Sequence, residues 1–428
     1  MILNVRPVKR LCGRIHLPAS KSYSIRAFII AACGGRSSIK HASDCDDARI
    51  AQKTAVSLRP TGSVRHEDRG APAPPKAGKR RSNLKTFLVG ESGTTLRFLL
   101  PLLALFTHKA LVVGRGTLVG RPNAHLCETL RAQGMDIRGT GKKESVPIVF
   151  KGGQLRGGRL SVDGTLSSQF ISALLIALPS LKADSRIVLR GKKQVSGDYI
   201  RMTIEILAKA GIVIKRLSAT EYYVKGGQKF KGLKNFYVPS DYGLAAYFMA
   251  AGALVPSQII LQGNLDKDLI QADGHILDFL RRMGVNFKQT RRAIHIQGPF
   301  SLKGGVFSLK DCPDLVPVMS VLALFAKGKT KLVDIHHARA KESDRISDLR
   351  RELLKVGASV SETRDTLTIY PRATYKNGQS LDSHHDHRLA MAFTVLGLKI
   401  GCRVGDIESS RKSYPGFVRD MKAIGLGV

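Results

Sequence analysis

A chain of 428 residues, 43% hydrophobic and 24% charged, is long enough for two cores and has the make-up of an ordinary folded protein rather than a disordered or fibrous one. Lys and Arg outnumber Asp and Glu by 69 to 33, and the resulting +36 suits anionic ligands, whether phosphorylated metabolites or nucleic acid, without choosing between them. The longest apolar run, Phe98 to Phe106, is broken by Pro101 and is far short of the roughly 20 residues of a membrane helix; Met1 leads straight into Ile2-Leu-Asn-Val with no signal-like segment, so a soluble cytosolic protein is expected.

Two signals alternate along the chain. Ser20-Lys21-Ser22 precedes the apolar run Ala27-Phe-Ile-Ile-Ala-Ala and predicts a capped helix. Leu58-Arg-Pro-Thr-Gly62-Ser-Val is a weak copy of a helix end followed by a strand. Residues 65–85 are basic and rich in Pro and Gly, and are expected to form a solvated loop. Ser92-Gly93-Thr94 opens a second apolar helix, and Leu130-Arg-Ala-Gln-Gly134-Met-Asp-Ile closes the next one and starts a strand. The pair recurs as Ser167-Ser168-Gln169 with Leu207-Ala-Lys-Ala-Gly211, and as Ser240-Asp241 with Leu280-Arg-Arg-Met-Gly284. It recurs again as Pro313-Asp314 with Leu354-Lys-Val-Gly357, and as His385-Asp386-His387 with Met421-Lys-Ala-Ile-Gly425.

The starts at Lys21, Gly93, Ser168, Asp241, Asp314 and Asp386 are 72, 75, 73, 73 and 72 residues apart; the glycines are 72, 77, 73, 73 and 68 apart. Six α/β units of about 70 residues are too large for solenoid repeats, and suit two domains of three units each. Helix starts carry free N–H groups and a partial positive charge, so several converging starts make an anion site. Ordinary capping explains any single one of them. It does not explain Lys and Arg there, where the helix dipole disfavours cations. The six scattered cysteines form no CxxC pair, which argues for reduced thiols and against zinc.

The ordered segments Pro18-Ala-Ser-Lys-Ser-Tyr-Ser-Ile-Arg26, Glu91-Ser-Gly-Thr-Thr-Leu-Arg97, Gly120-Arg-Pro122, Gly164-Thr-Leu-Ser-Ser-Gln169, Pro313-Asp314, Lys341-Glu-Ser-Asp-Arg345, Asp386-His-Arg388 and Lys412-Ser-Tyr-Pro415 resemble the 5-enolpyruvylshikimate-3-phosphate synthase family across nearly the whole chain. The resemblance implies an α/β, two-domain enolpyruvyl transferase fold. Each domain would hold three pseudo-symmetric units with helices packed inside, and the ligands would bind in the cleft between the domains. The expected domains are residues 18–238, and residues 1–17 with 239–428. The implied activity is transfer of the enolpyruvyl group of phosphoenolpyruvate to the 5-hydroxyl of shikimate 3-phosphate, with no cofactor, no metal, no membrane or specific nucleic-acid partner, and a monomeric enzyme.

By the same resemblance Lys21, Ser22, Arg26, Ser167, Ser168, Gln169, Ser196, Tyr199, Asp314, His337 and Lys341 are expected to bind shikimate 3-phosphate. Lys21, Gly93, Arg121, Gln169, Arg345, Arg388 and Lys412 are expected to hold phosphoenolpyruvate, the arginines by forked pairing with carboxylate and phosphate. Asp314 would accept the hydroxyl proton and Glu342 would deliver one to the methylene, with Lys21 as a third catalytic group. Two positions depart from the family: His337 stands where Asn is frequent, and Glu91 where some members carry Asn. Transfer to a UDP-sugar is a competing reading, but it calls for Asn after the first Lys, where this chain has Ser22. A basic RNA-binding protein of related fold is another, supported by the charge alone.

Overall fold

The computed structural model describes residues 1–58, 84–191, 194–265 and 268–427. The weak copy ending at Gly62 lies outside the described residues, as does the basic stretch up to residue 83; Lys85 already opens a strand.

Helices come in pairs: α1 (Lys21–Ala32) and α2 (Asp46–Leu58), α3 (Gly93–Phe106) and α4 (Ala124–Ala132), α5 (Ser168–Ala177) and α6 (Gly197–Lys209), α7 (Tyr242–Leu254) and α8 (Ile276–Arg282), α9 (Val316–Leu324) and α10 (Arg345–Lys355), α11 (His387–Ile400) and α12 (Phe417–Ala423). The first of each pair has almost no polar face. Every residue of α7 and α9 is buried, and α11 is buried from His387 to Leu398. Such helices belong inside, where each Leu, Ile or Phe withdrawn from water contributes about 1.5–3 kcal/mol. The second of each pair is half polar and lies outside. Five of these outer helices stop at Gly134, Gly211, Gly284, Gly357 and Gly425, whose φ values of 99°, 83°, 90°, 78° and 116° suit a residue without Cβ.

Four sheets share one plan, a parallel pair extended by an antiparallel hairpin. Lys85–Gly90 lies beside Ala110–Gly114, then Ser145–Gly153 and Met135–Thr140. Gly158–Asp163 lies beside Ser185–Arg190, then Glu221–Val224 and Ile214–Arg216. Leu11–His16 lies beside Ser257–Gln262, then Ala293–Ile296 and Phe287–Gln289. Val306–Ser308 lies beside Thr330–Val333, then Thr366–Tyr370 and Ser359–Glu362. The last unit takes Ile2–Val5 as its antiparallel edge.

Two hydrophobic cores result. One draws on residues between Ala19 and Val238, the other on Val5 to Leu17 together with Tyr242 to Leu426. The chain passes between them twice, side by side: Ala19 bridges Ser240, the Ser20 N–H donates to the Pro239 carbonyl at 2.7 Å, and the Asp241 N–H donates to Pro18 at 3.0 Å.

Five inner helices are capped as their sequences predict. Ser20, Ser92, Ser167, Asp241 and Asp386 each accept a backbone N–H of the first turn, a contact worth about 1 kcal/mol. The sixth start corrects the capping expectation. Pro313–Leu315 is a single 3₁₀ turn before α9, and no side chain caps that helix. The Asp314 carboxylate is therefore free to face the space between the two cores.

Candidate active site

Five of the six inner helix starts open onto one cleft. Lys21, Ser22, Arg26, Gly93, Arg121, Ser167, Ser168, Gln169, Ser196, Tyr199, Asp314, His337, Lys341 and Glu342 all line it.

On the first half, Lys21 is the first residue of α1, and its Nζ lies 3.2 Å from Asp47. Burial pulls the Lys21 ammonium down, but Asp47 and Glu342 outweigh it and the net shift is upward. Arg26 is buried and held by neutral acceptors: Thr203 Oγ1 at 2.9 Å, and the carbonyls of Ser22 and Tyr199 at 3.0 and 3.1 Å. Its guanidinium also lies over the Phe98 and Tyr199 rings. Burial without a counter-charge lowers its pKa to about 10. Arg97, which the sequence reading passed over, is a second cation of this kind. It donates to Gln169 Oε1 at 2.6 Å, Asn123 Oδ1 at 3.3 Å and the Pro122 carbonyl at 3.1 Å, and burial lowers it to about 9. It fixes Gln169, whose amide donates to Thr94 at 2.9 Å. Its position one helical turn after Gly93 was the available signal.

Gly93 makes room for Arg121. A Cβ built on Gly93 would stand 2.9 Å from Arg121 Nη1. Arg121 is buried, its Nε has no partner, and Nη1 reaches across the cleft to Glu342 at 3.2 Å. Ser196 holds a left-handed backbone (φ 55°) before α6, and the Tyr199 hydroxyl is 3.4 Å from both Asp273 oxygens.

On the second half, Asp314 meets Lys341 at 3.3 Å, Arg345 at 2.8 Å and Arg388 at 3.3 Å. Burial would raise its pKa, but these cations win and hold it well below the usual carboxylate range. Glu342 behaves alike. Burial opposes its charge, yet Arg121 and Arg345, the latter at 2.8 Å, hold it well below the usual range. His337 is buried with neither ring nitrogen partnered, and desolvation, reinforced by Lys341, drops its pKa to about 3. His387 is likewise buried and shifted down, with neither ring nitrogen hydrogen-bonded and Asp386 3.9 Å from Nδ1. His387 and Asp47 both line the cleft, and the sequence reading selected neither as a site residue.

Three expected ligands stand outside the lining. Arg345 lies behind it, bonded to Asp314, Glu342 and, at 2.7 Å, Asp386. Arg388 also lies behind it, donating to the Gly243 carbonyl at 2.8 Å. Lys412 lies 2.6 Å from Glu91, and the two line a separate pocket together with Thr117 and His385. Ligand atoms of Glu342, Asp386 and His387 fall within 4.8 Å of one another, as a metal site would require. Arg345 pairs with both carboxylates and Arg121 with a further oxygen of Glu342, so the cluster reads as an ion-pair network.

The EPSP synthase (3-phosphoshikimate 1-carboxyvinyltransferase) family model matches residues 5–421. The chain is 34% identical over 439 residues to the 3-phosphoshikimate 1-carboxyvinyltransferase of Methanococcus maripaludis, covering 100% of this chain and 99% of the relative. It is 34% identical over 435 residues to that of Methanocaldococcus jannaschii, at the same coverage. The structure resembles EPSP synthase from Acinetobacter baumannii, with a TM-score of 0.76 and 24% identity over 99% of this chain and 98% of that one. The enolpyruvyl transferase NikO from Streptomyces tendae has a TM-score of 0.74 at 16% identity over 100% and 98% of the two chains.

Proposed function

The chain belongs to the EPSP synthase family, with the enolpyruvyl transferase fold, and from that premise we propose how its cleft carries out the transfer. The enzyme moves the enolpyruvyl group of phosphoenolpyruvate to the 5-hydroxyl of shikimate 3-phosphate and releases phosphate. In the first step the 5-oxygen bonds to C2 of phosphoenolpyruvate, the hydroxyl proton leaves, and C3 gains a proton to become a methyl group. In the second the C2–O bond to phosphate breaks, the methyl group returns one proton, and the departing phosphate oxygen takes up the proton that the hydroxyl released. No net proton is consumed.

Asp314, held ionised by its cations, accepts the hydroxyl proton while Lys341 orients the hydroxyls. Arg26, Ser22, Ser167, Ser168, Ser196 and His337 hold the phosphorylated ring, which Tyr199 flanks. Arg121, Lys21 and Gln169 receive phosphoenolpyruvate over Gly93, with Arg345, Arg388 and Lys412 supplying positive field from outside the lining. Glu342 delivers and recovers the C3 proton. In the resting geometry it is a carboxylate because two arginines are on it. An incoming phosphate and carboxylate take up Arg121 and cancel its charge, so Glu342 becomes a stronger base and gains the proton that it must give. The observation that carries the reading is this pair of partly buried carboxylates, Asp314 and Glu342, tied through one buried arginine in a cleft that also gathers Lys21, Arg26, Arg97, Arg121 and Lys341.

We assign the two domains to residues 18–238 and to 1–17 with 239–428, on the strength of the two cores and the adjacent crossings. No helix of the described residues is long and apolar enough to cross a membrane. We read the enzyme as cytosolic and monomeric, a reading that its scattered thiols and small anionic substrates suit.

The two-step chemistry has an isotopic signature. The methyl intermediate returns one of three hydrogens, so turnover in heavy water must place deuterium in the methylene of the product. Mass spectrometry showing an unlabelled methylene would contradict proton transfer at C3.

A further inference from the structure

Lys412 has no donor left for a substrate. Its Nζ lies 2.6 Å from Glu91 Oε2, 2.9 Å from the His385 carbonyl and 3.2 Å from Thr117 Oγ1. An ammonium has three N–H donors, and three acceptors already surround this one. Glu91 does not depend on Lys412 to stay in place. Its Oε2 also receives the Thr117 backbone N–H at 3.1 Å and the Thr117 hydroxyl at 2.9 Å. The carboxylate is therefore a fixed anion two residues before Gly93, on the half opposite Lys412.

We propose that Glu91 is a positioning residue that occupies Lys412 in place of the anionic second substrate, so that phosphoenolpyruvate gains Lys412 only by displacing Glu91. This rests on the reading of Lys412 as a phosphoenolpyruvate ligand. A substrate carboxylate or phosphate and the Glu91 carboxylate are acceptors of the same kind, so exchanging one for the other gains little. The exchange lowers the affinity for phosphoenolpyruvate below what a free Lys412 would provide. Shikimate 3-phosphate, held deeper among Lys21, Arg26 and Ser196, is untouched by it.

The test is a cycle of E91Q, K412Q and the double variant, with KM for phosphoenolpyruvate and kcat measured at saturating shikimate 3-phosphate. Gln keeps the shape of Glu91 and can still accept from Thr117, but it gives up the charge-assisted bond to Lys412, so E91Q should lower this KM about three- to tenfold. The KM should move more than kcat, and affinity for shikimate 3-phosphate should not change. K412Q should raise the KM, and adding E91Q to K412Q should have no further effect. An unchanged or raised KM in E91Q overturns the exchange and leaves Glu91 a structural tie. An equal drop in the K412Q background also overturns it, because Glu91 would then act by direct repulsion of substrate. A K412Q enzyme with the parental KM removes Lys412 from the binding set, and the exchange with it, while leaving the transfer to shikimate 3-phosphate itself standing.

Discussion

Glu342 is asked to give a proton from a place where Arg121 at 3.2 Å and Arg345 at 2.8 Å favour its charged form. Its role therefore depends on substrate arriving at Arg121. Gln at this position keeps the contacts but cannot pass a proton, so E342Q should lower kcat about 10²-fold or more, with shikimate 3-phosphate affinity by calorimetry within a few-fold of the parent. Turnover within a few-fold of the parent would transfer the donor role to Lys21 or Lys341. His337 makes a prediction about stability. Its pKa falls from 6.5 in the free side chain to about 3 in the fold. As pH drops through 6.5 the unfolded chain takes the proton while the folded chain stays neutral, so folding is penalised increasingly from there down to about 3 and not at all well above 6.5. Replacing it removes the penalty: H337N should gain about 2 kcal/mol relative to the parent at pH 5 that it does not gain at pH 8, read by urea unfolding. An offset that is the same at both pH values would contradict the buried neutral ring. At this scale the legible residues were those whose type is odd for their place, such as Lys21 and Arg26 at a helix start. Asp47 and His387 were not singled out, because a polar residue in a polar stretch carries no mark of being buried, and Arg97 was marked only by its spacing from Gly93.

Five of the six inner helix starts facing one cleft are the device that builds the site, and Gly93 shows how closely they are fitted. A methyl group there would meet Arg121 Nη1 at 2.9 Å and Cζ at 3.0 Å. The guanidinium is the far end of a flexible side chain and gives way, so G93A should fold normally. The arginine it displaces is the one we assign to phosphoenolpyruvate, and the KM for that substrate should rise about tenfold, as overpacking of 1–3 kcal/mol would produce. Affinity for shikimate 3-phosphate should hold. Loss of affinity for both substrates would mean that the helix start itself had moved. The periodic caps and glycines made the inner and outer helices readable, because both signals are local. Asp314 shows the limit of that reading: it sits at the expected spacing, yet caps nothing and points into the cleft. Pairing across the chain was not readable from local pattern. Leu11–His16 lies beside Ser257–Gln262, and nothing in either segment names the other; only the family resemblance suggested that the first residues join the second half. Lys412 and Glu91 likewise meet from distant parts of the chain.

For the whole molecule, the halves meet through the ion pairs of Arg121 with Glu342, Lys412 with Glu91, and His275 with Asp198 at 3.0 Å, and through Leu269 and Ile270, which pack on the first core. The cleft also gathers Lys21, Arg26, Arg97, Arg121 and Lys341 against fewer carboxylates. Two polyanionic substrates supply the missing charge, and closing on them excludes water and strengthens every ion contact. Small-angle scattering should therefore show a smaller radius of gyration when shikimate 3-phosphate and an unreactive phosphoenolpyruvate mimic are added together. An unchanged radius would count against closure driven by ligand charge. The net +36 of the chain is far more than this cleft needs, and the fold gives no physical account of the excess. The central claim is the reaction itself, and phosphate release from phosphoenolpyruvate tests it most directly. The account predicts stoichiometric release when shikimate 3-phosphate is present and none when it is omitted or replaced by UDP-N-acetylglucosamine; release that ignores shikimate 3-phosphate, or runs equally with the UDP-sugar, would contradict it.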